Sequence, residues 1–230
     1  ILPRISNFDD LDPLKLEPSV RLVMVPPGQP IPAEAALIVL PGSKATIADL
    51  AALRAEGWDI DIAAHQRRGG HILGLCGGYQ MLGRSIADPG GIEGTAGSAA
   101  GLGLLDIETI LAPTKTLRRV EGSALGAPMA GYEMHMGTTR GPGLATPFAT
   151  IAGRTEGAIS ADDRVMGSYI HGVLASAGVR AALLARLGAV GGGRDYHATV
   201  DAALDAIATE LEQHVAVDAL LDLAMEKERL

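Results

Sequence analysis

Two short apolar runs, ALIVL at residues 36–40 and HILGL at 71–75, each give way within a few positions to helical spacing, and this alternation constrains the fold more than any other feature of the chain. Such continuously apolar runs suit strands buried on both faces of a parallel sheet. VRLVMV at residues 20–25 reads the same way. After the run at 36–40, residues 46–56 place Ile47, Leu50, Ala51 and Leu53 at helical spacing, with Gly57 where a C-capping glycine belongs. A second helix is expected over 60–68, closed by Gly69 and Gly70, and a third over 80–86. Strand and helix in this rhythm predict an α/β fold with a mostly parallel open sheet flanked by helices.

From Gly101 the texture becomes β-rich. Strand candidates lie within 104–111, 130–138, 148–152 and 158–170, and Asp162 with Asp163 is placed to turn a hairpin. Two helices are expected to finish the chain, over 179–187 and 200–226, separated by the glycines at 191–193. The second carries Val200, Leu204, Ile207 and Leu211 on one face, which is expected to pack on the parent sheet or on a neighbouring domain. Residues 1–230 read as one domain, with 1–18 a linker or lead-in segment. Because the chain opens at Ile1 rather than Met, in an extended stretch, it is expected to be a piece of a longer polypeptide.

Charge and composition narrow the function classes. Lys and Arg total 19 against 27 Asp and Glu, a formal net charge of −8, which gives no electrostatic reason to expect a nucleic-acid partner. The apolar stretches are too short or too interrupted to span a bilayer, which takes about 20 helical residues, so no membrane association is expected. The single Cys cannot form an internal disulfide, and no secretory signal opens the chain. The expected compartment is the reducing cytoplasm.

That single cysteine sits in GLCGG, residues 74–78, at a strand-to-helix junction. A nucleophile on such a sharp turn needs small neighbours, because side chains beside it would collide with the surrounding structure or with substrate. The turn places Cys76 at the N-terminus of a helix, where unpaired N–H groups and the dipole favour a thiolate. The Gly77 N–H becomes a natural oxyanion donor. A lone buried Cys is ordinarily a small hydrophobe; the flanking glycines argue otherwise. Of the six histidines, His65, His71, His197 and His214 look ordinary, whereas His171 ends an apparent strand before Gly172. Open α/β sheets put their sites at the carboxyl ends of strands, so His171 is the candidate base.

Taken with VLPGSKATIADL (39–50), GYEMHMG (131–137) and GSYIHGV (167–173), the segment GLCGGYQMLG (74–83) resembles a class I, triad-type glutamine amidotransferase domain of the cobyric acid synthase group. The opening LPRISNFDDLDPL (2–14) is similar to the start of this domain in that group. The resemblance implies that Cys76 attacks the glutamine side-chain amide and that His171 is general base and acid. It implies an oxyanion hole from Gly42, Ser43 and Gly77, and a glutamine pocket formed by Gln80, Tyr132, Glu133 and His135. Local alternatives stay open: Gly42 with Pro41 as a turn, Ser43 as a helix N-cap, and Glu133 with His135 as a polar pair on an edge strand.

The implied product is ammonia, used for ATP-dependent amidation of peripheral carboxylates of adenosylcobyrinic acid a,c-diamide, a corrinoid of cobalamin biosynthesis. No cofactor or metal is expected in this chain. ATP and Mg belong with the preceding ATP-binding synthetase domain, the expected partner besides glutamine, and no GxxxxGK[ST] phosphate loop occurs in this sequence. The other readings are a stand-alone amidotransferase subunit serving another ligase, such as one that amidates a cell-wall lipid, a Cys hydrolase on a similar fold, and a non-catalytic interaction module. One departure from the class matters. Many members carry Glu two residues after the catalytic His, where this chain has Val173. Either a carboxylate from elsewhere serves, or the site is a Cys–His dyad, in which case a glutaminase that is slow without its partner domain is expected.

Overall fold

The computed structural model describes residues 1–227. They form two compact units, one spanning residues 1–193 and one from Arg194 onward. At the centre of the first unit is a four-stranded sheet in the order Ala158–Ile159, Val165–Ser168, His71–Leu75, Leu37–Leu40. The last three strands run parallel, and Ala158–Ile159 pairs antiparallel at one edge. Helices flank this sheet, as the α/β reading expects.

Side-chain alternation along a strand divides the sheet's two faces. Ile38, Leu40 and Ile72 join Leu50, Leu53, Trp58 and Ile62 in one buried cluster, built on the helices Thr46–Ala55 and Trp58–Arg67. Leu73 and Leu75 join Leu11, Leu14, Val173, Val179 and Leu183 in the other, which the helix Ala177–Arg186 closes. A fully buried Leu or Ile contributes about 1.5–3 kcal/mol, so the two clusters hold the middle strand from both sides.

The β-rich second half forms a seven-stranded sheet dominated by the long antiparallel pair Glu108–Ala124 and Ala127–Arg140. Its short strand Ile170–His171 pairs antiparallel with the second of these, His171 opposite Tyr132 and Ile170 opposite Glu133. The chain therefore passes directly from the parallel sheet, at Ser168, into the other sheet at Ile170. The hairpin expected at Asp162 and Asp163 is present, with Asp163 at φ 58° and Ala158 opposite Gly167.

Four expectations are corrected. Residues 20–25 do not join the sheet. The run ends at Pro26 and Pro27, which have no N–H to donate, and it packs by side chain instead, lining a cavity of about 390 Å³ with Leu37, Val39 and Trp58. The helix expected over 80–86 is Gly77–Leu82. Gly83 takes an extended backbone, Arg84 donates its N–H to the Ile107 carbonyl at 2.7 Å, and Ser85–Asp88 becomes a strand parallel to the start of Glu108–Ala124. The third correction concerns residues 1–18, which are built into the first unit rather than leading to it. Ile5–Ser6 pairs with Gly42–Ser43, and Phe8–Leu16 forms a 3₁₀ helix that buries Asp10, Leu11, Pro13 and Leu14.

The fourth lies in the second unit, which holds two helices, Tyr196–His214 and Val217–Lys227, where one was expected. The run breaks at Val215, which takes an extended backbone, φ −129° and ψ 132°. The Asp195 carboxylate caps the first helix by accepting from the Ala198 N–H. Val200, Leu204, Ile207 and Leu211 are exposed. No helix among the described residues is long and apolar enough to cross a membrane.

Candidate active site

Cys76 stands between the strand His71–Leu75 and the helix Gly77–Leu82 with φ 51° and ψ −110°, a backbone conformation that L-residues rarely hold. The glycines around it are sterically required. A Cβ on Gly74 would lie 2.7 Å from the Gly78 carbonyl, and one on Gly78 would lie 2.0 Å from the Leu40 carbonyl. The turn holds because the Cys76 N–H donates to Ser168 O at 2.8 Å and the Gln80 N–H donates to Cys76 O at 3.1 Å. The thiol is half-buried and donates to the Met134 carbonyl at 3.2 Å, so the GYEMHMG segment lies against the sulfur.

His171 is fully buried. Its Nδ1 lies 2.7 Å from Asp10 Oδ2, and the other oxygen of that carboxylate accepts from the Gly172 N–H at 2.7 Å. Asp10 comes from the opening 3₁₀ helix and is itself buried. Nε2 is buried without a hydrogen-bond partner among the described residues. Burial disfavours the imidazolium, but Asp10 and the nearby Cys76 outweigh it, and the His171 pKa is pushed up to about 10. Tyr132 stacks on the imidazole with ring centroids 5.1 Å apart. The site thus has a carboxylate on Nδ1, and the dyad alternative gives way to a Cys76, His171, Asp10 arrangement. With it goes the reason to expect a slow glutaminase. Val173, where many class I domains carry Glu, is instead buried in the apolar cluster with Leu11 and Leu14.

The loop carrying Gly42 and Ser43 packs against the helix start: a Cβ on Gly77 would lie 2.9 Å from the Ser43 N and Cβ atoms. A Cβ on Gly42 would be 3.6 Å from His171 Cε1, so this loop also borders the imidazole. In the antiparallel register Ser43 faces Ile5, one step from the bond that the Lys44 N–H donates to Arg4 O at 3.0 Å. Hydrogen-bonded and non-bonded positions alternate in such a ladder, which directs the Ser43 N–H away from the opening segment. Ser43 Oγ donates to Asp49 Oδ2 at 2.6 Å and accepts from the Ala45 N–H at 3.0 Å, so it braces the loop rather than capping the helix Thr46–Ala55.

The remaining expected residues fall into a second, connected network. Gln80 is buried, with Nε2 donating to the Tyr169 hydroxyl at 3.2 Å and the Met136 carbonyl at 3.3 Å, and Oε1 accepting from Thr46 Oγ1 at 3.1 Å. Glu133 is buried between Arg118, Arg154 and His135. Burial pushes its pKa up, but the two guanidinium groups and His135 prevail and hold it below the usual carboxylate range. His135 stacks on Tyr169 with centroids 4.0 Å apart, and burial, opposed by Glu133, pushes its pKa down. Sequence reasoning missed Asp10, Met134 and Tyr169. The DD pair in the opening segment was the available signal for the first.

The chain resembles known proteins along most of its length. A family model described as the CobB/CobQ-like glutamine amidotransferase domain matches residues 1–179. A cobyric acid synthase of Rhizorhabdus wittichii is 76% identical over 211 residues, covering 91% of this chain and 44% of that protein. One of Sphingopyxis alaskensis is 71% identical over 211 residues, with the same coverage of each. The chain therefore spans less than half the length of these curated relatives. Among solved structures, PurLQS from Thermotoga maritima superposes with a TM-score of 0.56 at 18% identity, covering 74% of this chain and 84% of that one. A second, described as a glutamine amidotransferase, gives 0.52 at 17%, covering 74% and 87%. These two likenesses concern the fold.

Proposed function

Because the chain belongs to the CobB/CobQ-like glutamine amidotransferase family, we propose that it is the glutaminase part of a cobyric acid synthase, with Cys76 as nucleophile and His171 as proton carrier. The Cys76 sulfur adds to the glutamine side-chain amide carbon, and the oxyanion is held by backbone N–H groups of Gly77 and the Gly42–Ser43 loop. His171 delivers its Nε2 proton to the leaving nitrogen as the C–N bond breaks, releasing ammonia and leaving a γ-glutamyl thioester. Neutral His171 then takes a proton from water; the hydroxide adds to the thioester carbon, the C–S bond breaks, and glutamate leaves with the thiolate restored. Gln80, Tyr132, Glu133 and His135 are the candidate contacts for glutamine.

Ammonia then serves the ATP- and Mg-dependent amidation of corrinoid carboxylates in the preceding domain of the complete protein. The relatives' names and the share of their length that this chain spans support that assignment over a stand-alone subunit for another ligase. The observation that carries the glutaminase reading is the strained Cys76 turn beside a buried, carboxylate-bound His171. It is tested in the complete protein by measuring glutamate release and corrinoid amidation. Cys76→Ala should abolish glutamine-dependent turnover while added ammonia still supports amidation. Surviving glutamine-dependent turnover in Cys76→Ala would remove the nucleophile assignment.

A further inference from the structure

The position two residues after His171 holds an apolar side chain, yet the imidazole is held by a carboxylate that arrives from the other end of the chain. We propose that Asp10 is the positioning residue of the glutaminase site, held in place by the opening segment, and that it fixes His171 with its Nδ1–H bound and its Nε2 turned to Cys76. This rests on the glutaminase reading above.

Both carboxylate oxygens are committed at the carboxyl end of one short strand. Oδ2 takes the ring Nδ1 at 2.7 Å and Oδ1 takes the Gly172 N–H at 2.7 Å, so the carboxylate holds the imidazole and the backbone beside it in one geometry. An acceptor on Nδ1 selects the tautomer in which that nitrogen carries the proton, leaving Nε2 for the sulfur. Nε2 is the ring nitrogen without a protein partner among the described residues, as a group held ready for proton transfer requires. The ionisable groups around the ring are Asp10, Cys76 and Tyr132.

The carboxylate cannot drift, because its own segment is fixed on both sides. After Asp10, Leu11 and Leu14 pack in the same buried cluster as Val173 and Leu174, the residues that follow the His171 strand. Before it, Ile5 and Ser6 pair with Ser43 and Gly42, and the Arg4 N–H donates to Asp49 Oδ1 at 3.2 Å. The other oxygen of Asp49 accepts from Ser43 Oγ. Between these anchors Asn7 turns the chain at φ 52° and donates to the hydroxyl of Tyr132, whose ring stacks on His171. The same few residues therefore set the imidazole and the oxyanion loop together.

The test uses the complete protein. Asp10→Asn keeps the shape and removes the charge, Asp10→Glu keeps the charge, and Asp12→Asn, a change in the same helix whose carboxylate pairs with the exposed Lys15, is the control. Asp10→Asn should lower glutaminase kcat by about 10²-fold or more with little change in KM, since general acid–base catalysis typically contributes about 10²–10⁴-fold. It should also move the alkaline limb of the pH–rate profile toward neutral pH, while ammonia-dependent amidation stays normal. Asp10→Glu should recover part of kcat, and Asp12→Asn should match the native protein. Asp10→Asn with native kcat and an unmoved alkaline limb would overturn the assignment. Should Asp10→Asn fail to fold, the native protein decides by imidazole nitrogen NMR: a protonated Nδ1 bound to a carboxylate supports the proposal, and an unprotonated Nδ1 overturns it. A native protein that hydrolyses no glutamine would instead defeat the glutaminase reading, and the NMR result would still report on the Asp10 contact.

Discussion

Asp10 and His171 stand 161 positions apart in sequence, yet their side chains meet at 2.7 Å and both are buried. This pairing makes stability depend on pH in a defined direction. The His171 pKa is pushed up to about 10 in the folded protein against about 6.5 for a free imidazole. The folded state therefore holds a proton that the unfolded state releases first. The stabilisation is complete below about pH 6.5 and is lost as pH rises toward 10. Chemical denaturation across this range should show the midpoint falling with pH, and His171→Gln should flatten that fall. A native midpoint that stays constant between pH 7 and 10 would contradict it.

The elbow makes a sharper steric prediction. Gly78→Ala would place a methyl 2.0 Å from the Leu40 carbonyl, a backbone atom of the neighbouring strand that cannot step aside. Overpacking of this kind costs about 1–3 kcal/mol, and more where the backbone must move; the upper end is expected here. Gly94→Ala, with nothing within 4 Å of the added methyl, should leave the melting temperature unchanged. Thermal melts of the two variants compare them directly.

What the sequence revealed of the site follows from how locally each part is encoded. Cys76 was legible because the elbow is contiguous: the steric demands of the turn fall on Gly74, Gly77 and Gly78, within two residues of the sulfur. His171 was legible because it ends a strand run before Gly172, which takes a positive φ. Asp10 was not, since Asp9, Asp10 and Asp12 look alike in sequence, and only the pairing of Ile5–Ser6 with Gly42–Ser43 decides which of them is buried against His171. The sheet core was legible from its apolar runs. Residues 20–25 have the same composition, but a parallel strand also needs partners for its N–H groups in register, and composition carries no register.

Asn7 separates backbone strain from side-chain bonding. It holds φ 52° and φ values of this kind favour Gly or Asn, while its amide donates to the Tyr132 hydroxyl. Asn7→Gly keeps the turn and loses the bond; Asn7→Ala loses both. The Ala variant should be less stable than the Gly variant by about 1 kcal/mol, and both should lower glutaminase activity modestly, because Tyr132 stacks on the His171 ring. Equal stability of the two variants would show that the turn can relax.

Glu156 offers the last test, beneath the site rather than in it. It is 5% exposed, accepts from Ser168 Oγ at 2.6 Å and from the Tyr169 N–H at 2.8 Å, and sits directly under the residues that lead to His171. Burial pushes its pKa up to about 7, and the two hydrogen bonds, which favour the carboxylate, do not offset that. A free glutamate titrates near 4.3, so between about pH 4.3 and 7 the folded state holds a proton that the unfolded state has lost. Its contribution is therefore fully present below that range and is lost as pH rises through 7. Glu156→Gln retains an acceptor for the Tyr169 N–H and carries no charge to desolvate. It should melt above the native protein at pH 8 and close to it at pH 4.5, with a shallower pH dependence between them. Glutaminase activity should change little, since Glu156 makes no contact with Cys76 or His171 among the hydrogen bonds of the described residues. A variant that melts lower than native at pH 8 would show that Glu156 is held ionised by its hydrogen bonds after all.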